Sequence, residues 1–178
     1  AYPYGIHAAL VRVDRETVSQ TYYTSLLSHA GCTAGAHVAA EVFGGSMTEN
    51  FNPLMYGSVR QVFTGLLRSL PDEDVTGLAR AAQTARRLPR MARETRPSLT
   101  ASCEVAGMLA EQTGAPTAVP DLLAYLTDRW DGHGPLGRGK HEEIPLPMRI
   151  VHVATAAAFH RHLGGVAHAV GIVGERAG

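Results

Sequence analysis

Residues 129–150, RWDGHGPLGRGKHEEIPLPMRI, constrain the fold of this chain more than any other stretch. They contain the only Trp of the 178 residues, together with four Gly and three Pro, and they lead into an apolar segment. Clustered Gly and Pro favour a loop built from turns, whereas the apolar residues that follow recur at helical spacing. The stretch therefore predicts a polar loop that enters a helix near Pro147.

The other segments also have helical periodicity. Asp14 is placed to cap a helix over 15–30, with Tyr22 and Leu26 on its apolar face and Gly31 at its end. Residues 6–13 favour a helix, with a strand as the alternative. Further helices are expected over 34–43, 53–70, 71–88, 97–114, 117–129, 147–163 and 166–176, the last two separated by Gly164 and Gly165. We see no alternating strand pattern and no internal repeat. The pattern predicts an all-α helical bundle, in one domain over residues 1–178.

Composition and charge argue against several classes of protein. Lys and Arg balance Asp and Glu at 16 each, so no overall field favours nucleic acid or an anionic membrane. No apolar run has membrane-spanning length, and no signal peptide is visible. The two Cys, Cys32 and Cys103, form no CxxC motif, which favours reduced thiols in a cytoplasmic protein. The start at AYPYGIH suits a fragment of a longer protein.

Residues 86–97, RRLPRMARETRP, contain five Arg and one acidic residue. Two interpretations remain open. The segment is either a solvated connection that is broken by Pro89, or a site for an anion or phosphate, because Arg side chains bind phosphate well.

Three segments resemble the HD superfamily of metal-dependent phosphohydrolases, and most closely its HD-GYP branch. The loop is similar to the family stretch R-W-D-G-x-G followed by E-E-I-P-L-x-x-R-I. The matching residues are Arg129, Trp130, Asp131, Gly132, Gly134, Glu142, Glu143, Ile144, Pro145, Leu146, Arg149 and Ile150. SLLSHAGC (25–32) resembles the family's LLHDIGK segment, and SCEVA (102–106) resembles a helix that begins with a metal-binding His. His29-Ala30-Gly31-Cys32-Thr33 looks like divergent actinobacterial HD domains that accompany a LuxR-type DNA-binding helix-turn-helix.

The resemblance implies a phosphohydrolase site in which two or three transition-metal ions polarise a phosphate and activate a water. His and carboxylate side chains supply the ligands in the family. Their positions fall here on Ser28, His29, Ser102, Leu126, Thr127, Asp128 and Thr155. Leu cannot ligate, Ser and Thr are weak ligands, and His29 is displaced by one position from the family's His. The Lys of the motif is replaced by Cys32, and Gly134-Pro135-Leu136 lacks the Tyr of GYP. We therefore expect an HD scaffold without its usual metal centre.

Candidate site residues follow from the comparison. The candidate catalytic carboxylates are Asp128 and Asp131, of which Asp131 has the alternative role of folding the loop. If a rearranged metal site exists, its candidate ligands are His29, His37 and Asp128; His152 and His160 also lie about two turns apart on one helix face. A ligand site would use His29, Trp130, Asp131, His133 and Arg149.

Several of these residues have two open interpretations. Trp130 is either a core residue or a stacking platform for a ring ligand. Glu142 and Glu143 either cap the helix near Pro147 or pair with Arg149. Exposed His133 and His141 are candidate contacts for a ligand phosphate. Cys32 and Cys103 are expected to be small buried hydrophobes, and they would approach each other if their helices were neighbours, as in the family.

The leading functional prediction is a degenerate HD-GYP-like module that acts in regulation, by binding a small molecule or nucleotide or by protein contact, with no cofactor. The alternative is a phosphohydrolase or cyclic-dinucleotide phosphodiesterase that uses a divalent transition metal in a rearranged site. A third possibility is chemistry unrelated to phosphate. Val166, Val170 and Val173 form either a homodimer face or part of the core. No membrane partner and no direct nucleic-acid binding is evident.

Overall fold

The computed structural model describes residues 13–31, 59–72 and 74–177. The helices are α1 (Arg15–Leu27), α2 (Val59–Ser69), α3 (Gly77–Gln112), α4 (Val119–Leu123) and α5 (Leu146–Ala177), with a 3₁₀ helix at His141–Glu143. No strand occurs in these residues, which confirms the all-α class. The helices expected over 6–13 and 34–43, the start of the one expected over 53–70, and the side chains of Cys32 and His37 lie outside the described residues.

Helix α1 packs against α3, α4 and α5, so it joins three of the other four described α-helices. Asp14 caps it as expected: its carboxylate accepts hydrogen bonds from the backbone N–H of Thr17 at 2.9 Å and from the Thr17 hydroxyl at 2.8 Å. The helix ends at Leu27, three residues before its predicted last residue at position 30, and a turn at 28–29 and 3₁₀ geometry at 30–31 follow.

The buried face of α1 differs from the predicted one. Tyr22 and Leu26 are 51% and 62% exposed, whereas Thr21, Thr24 and Ser28 are buried. Small hydroxyl side chains let neighbouring helices approach closely, and the Thr21 hydroxyl satisfies itself by donating to the Thr17 carbonyl at 2.7 Å. Periodicity alone could not reveal this, because Thr counts as polar in such a pattern.

Helix α3 runs without a break through Pro89 and Pro97. The predictions of a connection over 86–97 and of a new helix at Pro97 are therefore wrong. A proline inside a helix removes one backbone donor and costs about 3 kcal/mol, but Arg, Ala, Leu and Met on either side favour the helix. The acidic residues after Pro71 do not start this helix either. Asp72 instead accepts hydrogen bonds from Gln83 at 3.1 Å and from Arg87 at 3.0 Å.

The helix expected over 117–129 is much shorter, because α4 ends at Leu123 and turns follow. Its residues Val119 and Leu123 form one core cluster with Ala106 and Ala110 of α3, against which Tyr23 and Leu27 of α1 pack. A second cluster joins the loop residue Ile144 to Met148 and Val151 of α5, with Tyr125 and Leu126 beside it. The loop of residues 124–145 is thus fixed between two cores.

Helix α5 has the predicted interruption at the Gly164-Gly165 pair. Gly165 has φ 79° and ψ −175°, which is outside the helical region and favours glycine. Beyond it, Val166 and Val170 are 64% and 67% exposed, so the prediction that they pack in the core is wrong. No helix of the described residues is long and apolar enough to cross a membrane.

Candidate functional site

The candidate site is built around Asp128, a buried carboxylate at the start of the Gly- and Pro-rich loop. Its two oxygens accept hydrogen bonds from the backbone N–H groups of Gly139 at 2.7 Å and Arg138 at 3.2 Å. These donors lie about ten residues further along the chain, so Asp128 closes the loop upon itself. The carboxylate proposed from the sequence as a catalytic group or metal ligand is therefore engaged by the backbone.

Close approach of the two ends of the loop requires a glycine at position 134. A Cβ on Gly134 would lie 2.8 Å from both the Asp128 Cα and the Thr127 carbonyl oxygen, which is closer than side-chain carbons pack. Gly132, with φ 75°, adopts a conformation that favours glycine. The glycine pattern that carries the family resemblance thus has a folding role in this chain.

Asp131 folds the next turn of the loop. It accepts two hydrogen bonds from the Arg129 guanidinium, at 3.0 and 2.6 Å, and one from the backbone N–H of His133 at 3.0 Å. The Arg129 hydrogen bonds lower the pKa of the Asp131 carboxyl to about 2. A carboxyl that stays ionised well below neutral pH is a poor general acid or base near pH 7. The geometry supports the loop-folding role of Asp131.

Trp130, Arg149 and His141 come together on the outer side of this loop. The Cζ of Arg149 lies 5.7 Å from the centroid of the Trp130 ring, a cation–π distance. The His141 ring meets Trp130 edge-on, with centroids 5.3 Å apart. Trp130 is 50% exposed, so the prediction of a core residue is wrong and the ring remains accessible as a platform.

The predicted roles of Glu142 and Glu143 are wrong. Glu143 accepts a hydrogen bond from the backbone N–H of Lys140 at 3.1 Å, so it caps the 3₁₀ helix rather than α5. Arg149 pairs with neither glutamate, because its guanidinium faces Trp130. His133 and His141 are exposed, as predicted, and the Nδ1 of His133 lies 3.7 Å from Asp131.

Two of the segments that resemble the family, 25–32 and 102–106, meet at the end of α1. Gly31 lies directly against the backbone of Ser102, and a Cβ on Gly31 would overlap the Ser102 carbonyl oxygen. Helices α1 and α3 are thus neighbours here, as the sequence comparison implied. Cys103 is buried as predicted. The hydroxyls of Ser28 and Ser102 donate to the carbonyls of Ser25 and Ser98, at 2.8 and 3.0 Å.

His29 also lies at the end of α1, directly after Ser28. Its Nδ1 lies 2.8 Å from the Ser28 hydroxyl, and the side chain is exposed. Because the Ser28 hydroxyl donates to Ser25, the His29 Nδ1–H is the donor in this second bond when the imidazole is neutral. Among the described residues, no hydrogen bond, ion pair or ring contact joins His29 to Trp130, Asp131, His133 or Arg149, with which the sequence grouped it.

The remaining family positions lie between the loop and α5. His152 of α5 donates from Nε2 to the carbonyl oxygen of Leu126 at 3.1 Å. Burial lowers the pKa of His152, although the Leu126 hydrogen bond and the Asp128 charge oppose this shift. Thr155 donates its hydroxyl to the Val151 carbonyl at 2.8 Å. Sequence reasoning considered His152 only as a metal ligand, and its spacing carried no signal of a contact with the loop.

The residues at the family's ligand positions do not fit a binuclear metal centre. Within the described ranges, no three His, Cys, Asp or Glu side chains are grouped as a metal would require. His152 and His160 do not converge: His152 contacts Leu126, and the ring of His160 meets those of Phe159 and His168 at 5.2 and 5.4 Å. The rearranged set that includes His37 lies partly outside the described residues.

Comparison with known proteins adds no family or fold assignment, since no protein-family model, curated protein or solved structure matches this chain. The resemblance to the HD superfamily therefore rests on the sequence segments quoted above, and the function must be argued from the site itself.

Proposed function

We propose that this chain is a degenerate HD-GYP-like module that acts in regulation by binding a ligand or a partner, without a catalytic metal centre. The observation that carries the proposal is the environment of Asp128. It is the only carboxylate at the family's ligand positions, and both of its oxygens accept backbone N–H groups of its own loop. A carboxylate used in this way stabilises the fold instead of an ion.

The other ligand positions support the same proposal. Ser28, Ser102 and Thr155 direct their hydroxyls to backbone carbonyls one helical turn earlier. Each hydroxyl donates its hydrogen bond to the backbone of its own segment. Neutral hydroxyls are also weak ligands for transition metals. A hydrolytic mechanism of the HD type would need several anionic or imidazole ligands at these places.

Two further features belong to the proposal. Buried Cys103 and the absence of a CxxC motif support action in a reducing cytoplasm. The exposed Val166 and Val170, one turn apart on α5, support a second copy of this chain as an alternative partner. Light scattering of the wild type and of Val170→Lys tests this alternative: a wild-type dimer that the lysine dissociates supports it, and a wild-type monomer contradicts it.

A hydrolysis assay tests the loss of catalysis. Bis(p-nitrophenyl) phosphate is incubated with the chain in the presence of Mn²⁺, Fe²⁺, Co²⁺ or Ni²⁺, each against metal alone. We expect no rate above the metal control, and the same result for Asp128→Asn.

The competing function, a metal-dependent phosphohydrolase, predicts a different result. It requires metal-dependent turnover that Asp128→Asn reduces by at least about 100-fold, while the exposed Asp74→Asn retains it. That result would overturn the proposal.

A further inference from the structure

Arg149 carries a positive charge for which the described residues show no counter-ion. Within the described part of the chain, its side chain forms no ion pair and no hydrogen bond, and its Nε is buried without a partner. The other arginines near the two cores are engaged: Arg129 with Asp131 at 2.6 Å, Arg87 with Asp72 at 3.0 Å, and Arg96 with the Leu136 carbonyl at 3.4 Å. Arg149 is held instead by the ring of Trp130.

The position of Arg149 at the start of a helix adds to the positive potential around its side chain. It lies in the first turn of α5, where its backbone N–H donates to the Pro145 carbonyl at 3.1 Å. The positive end of a helix dipole favours anions and disfavours cations. A half-buried guanidinium at this end, with no carboxylate partner, creates a local positive field that an external anion would neutralise. Stacking on an aromatic ring leaves the terminal N–H groups of Arg free to bind an anion.

The Trp130 ring, which contacts Arg149, provides a second surface that a ligand can bind. Half of the Trp130 surface is exposed, and exposed indoles bind flat ligands by stacking. Lys140 is exposed on the same loop and adds a second positive charge to it, and the exposed His141 ring meets the indole edge-on. Of the acidic groups on this loop, Asp131 is paired with Arg129, whereas Glu142 and Glu143 are exposed and Glu143 accepts a hydrogen bond from the Lys140 N–H.

We propose that Trp130 and Arg149 form the binding site for a ligand that combines a flat aromatic ring with an anionic group, either a phosphate or a carboxylate. The ring stacks on the indole and the anion pairs with the guanidinium. This proposal rests on the proposed function, because it names the class of ligand that the module binds. The site uses none of the residues at the family's ligand positions.

Trp130 is the only Trp of the chain, so tryptophan fluorescence, excited at a wavelength that the six Tyr do not absorb, reports on this site. The probes are guanosine 5′-monophosphate, 2-naphthoate, and two half-ligands, guanosine and inorganic phosphate. We expect saturable quenching by at least one of the first two, and an affinity at least about tenfold weaker for each half-ligand. Guanosine 5′-monophosphate distinguishes a phosphate ligand from the carboxylate that naphthoate represents.

Variants separate recognition from general charge. Arg149→Gln is expected to weaken binding at least about tenfold, and Arg149→Lys to weaken it less, since lysine keeps the charge but loses the planar fork. Arg86→Gln, at an exposed arginine of α3, is the control and is expected to bind like the wild type. Circular dichroism establishes that each variant is folded.

Either of two results would overturn the inference: no saturable quenching by any probe with the wild type folded, or unchanged affinity in Arg149→Gln. Neither result bears on the loss of catalysis, which the hydrolysis assay measures separately. Metal-dependent turnover would in turn contradict the proposed function without changing the quenching of Trp130.

Discussion

The carboxylate of Asp128 is buried and accepts two backbone N–H groups of the loop, so its replacement leaves at least one donor without a partner. An unsatisfied buried donor costs about 1–3 kcal/mol. We predict that Asp128→Asn lowers the free energy of unfolding by this amount in urea denaturation. Asp74→Asn, at an exposed position without such contacts, should change it little. Equal midpoints for Asp128→Asn and the wild type would contradict the loop-folding role.

His152 predicts a dependence of stability on pH. Burial lowers its pKa below the ordinary value of 6.5, so the folded state disfavours the imidazolium that the unfolded chain accepts. The contribution of His152 is therefore complete above pH 6.5 and is lost as the pH falls through the folded pKa.

We predict that His152→Gln, which keeps a donor for the Leu126 carbonyl, flattens the decline of the melting temperature below pH 6.5. The exposed His162→Gln is the control and should decline like the wild type. An unchanged pH profile in His152→Gln would show that other groups cause the decline.

Local signals at single residues predicted part of the site. Asp14, which precedes a helical segment, predicted a helix cap, and the glycines at positions 132 and 134 predicted tight turns. The exposure of Trp130 had no such signal, because a large aromatic residue is most often buried. Its position depends on Arg149, which is nineteen residues further along the chain and meets the ring only in the folded protein.

At the scale of elements, the contact between α1 and α3 depends on one glycine. Gly31→Ala would force its Cβ into the Ser102 carbonyl, and backbone atoms on both sides leave little room to yield. We predict a loss of at least about 3 kcal/mol in the free energy of unfolding, at the upper end of the cost of overpacking. Gly171→Ala is a matched control: it is helical with open space around it and should stabilise by about 0.5–1 kcal/mol. Equal stability of the two variants would contradict the close contact.

In helix α3, the replacement of a proline is predicted to raise the free energy of unfolding. Pro89 is exposed inside the helix and cannot donate a backbone hydrogen bond. Pro89→Ala restores that donor and replaces a poor helix former with the best one, so it should stabilise by up to about 3 kcal/mol. Thermal denaturation measures the gain. A lower melting temperature would mean that the segment around residue 89 is not helical in solution.

The elements that sequence reasoning predicted well are those with strong end signals, such as the start of α1 and the break at Gly165. Those that it predicted poorly depend on packing. The prolines of α3 predicted helix ends, but residues of high helix propensity on both sides keep the segment helical. The buried hydroxyl face of α1 follows from close contact with three helices, which a pattern of apolar residues cannot encode.

For the whole molecule, the sequence predicted an all-α protein, and the described residues confirm that class. In the structure, Gly31 lies against Ser102, so the end of α1 contacts α3, and His152 of α5 contacts Leu126 near Asp128. Comparison with the family motif could not indicate that Asp128 would accept hydrogen bonds from its own loop. Every residue type except proline has a backbone N–H, so the sequence does not show which of these groups will be donors.

Elemental analysis shows directly whether the folded chain holds a metal centre. The chain would be purified without chelator and without a metal-affinity step, and its Fe, Mn, Co, Ni and Zn would be measured per chain beside circular dichroism. We predict no stoichiometric metal in a folded, helical protein. One or more ions per chain that are lost in Asp128→Asn would contradict the account and establish a metal site at this carboxylate.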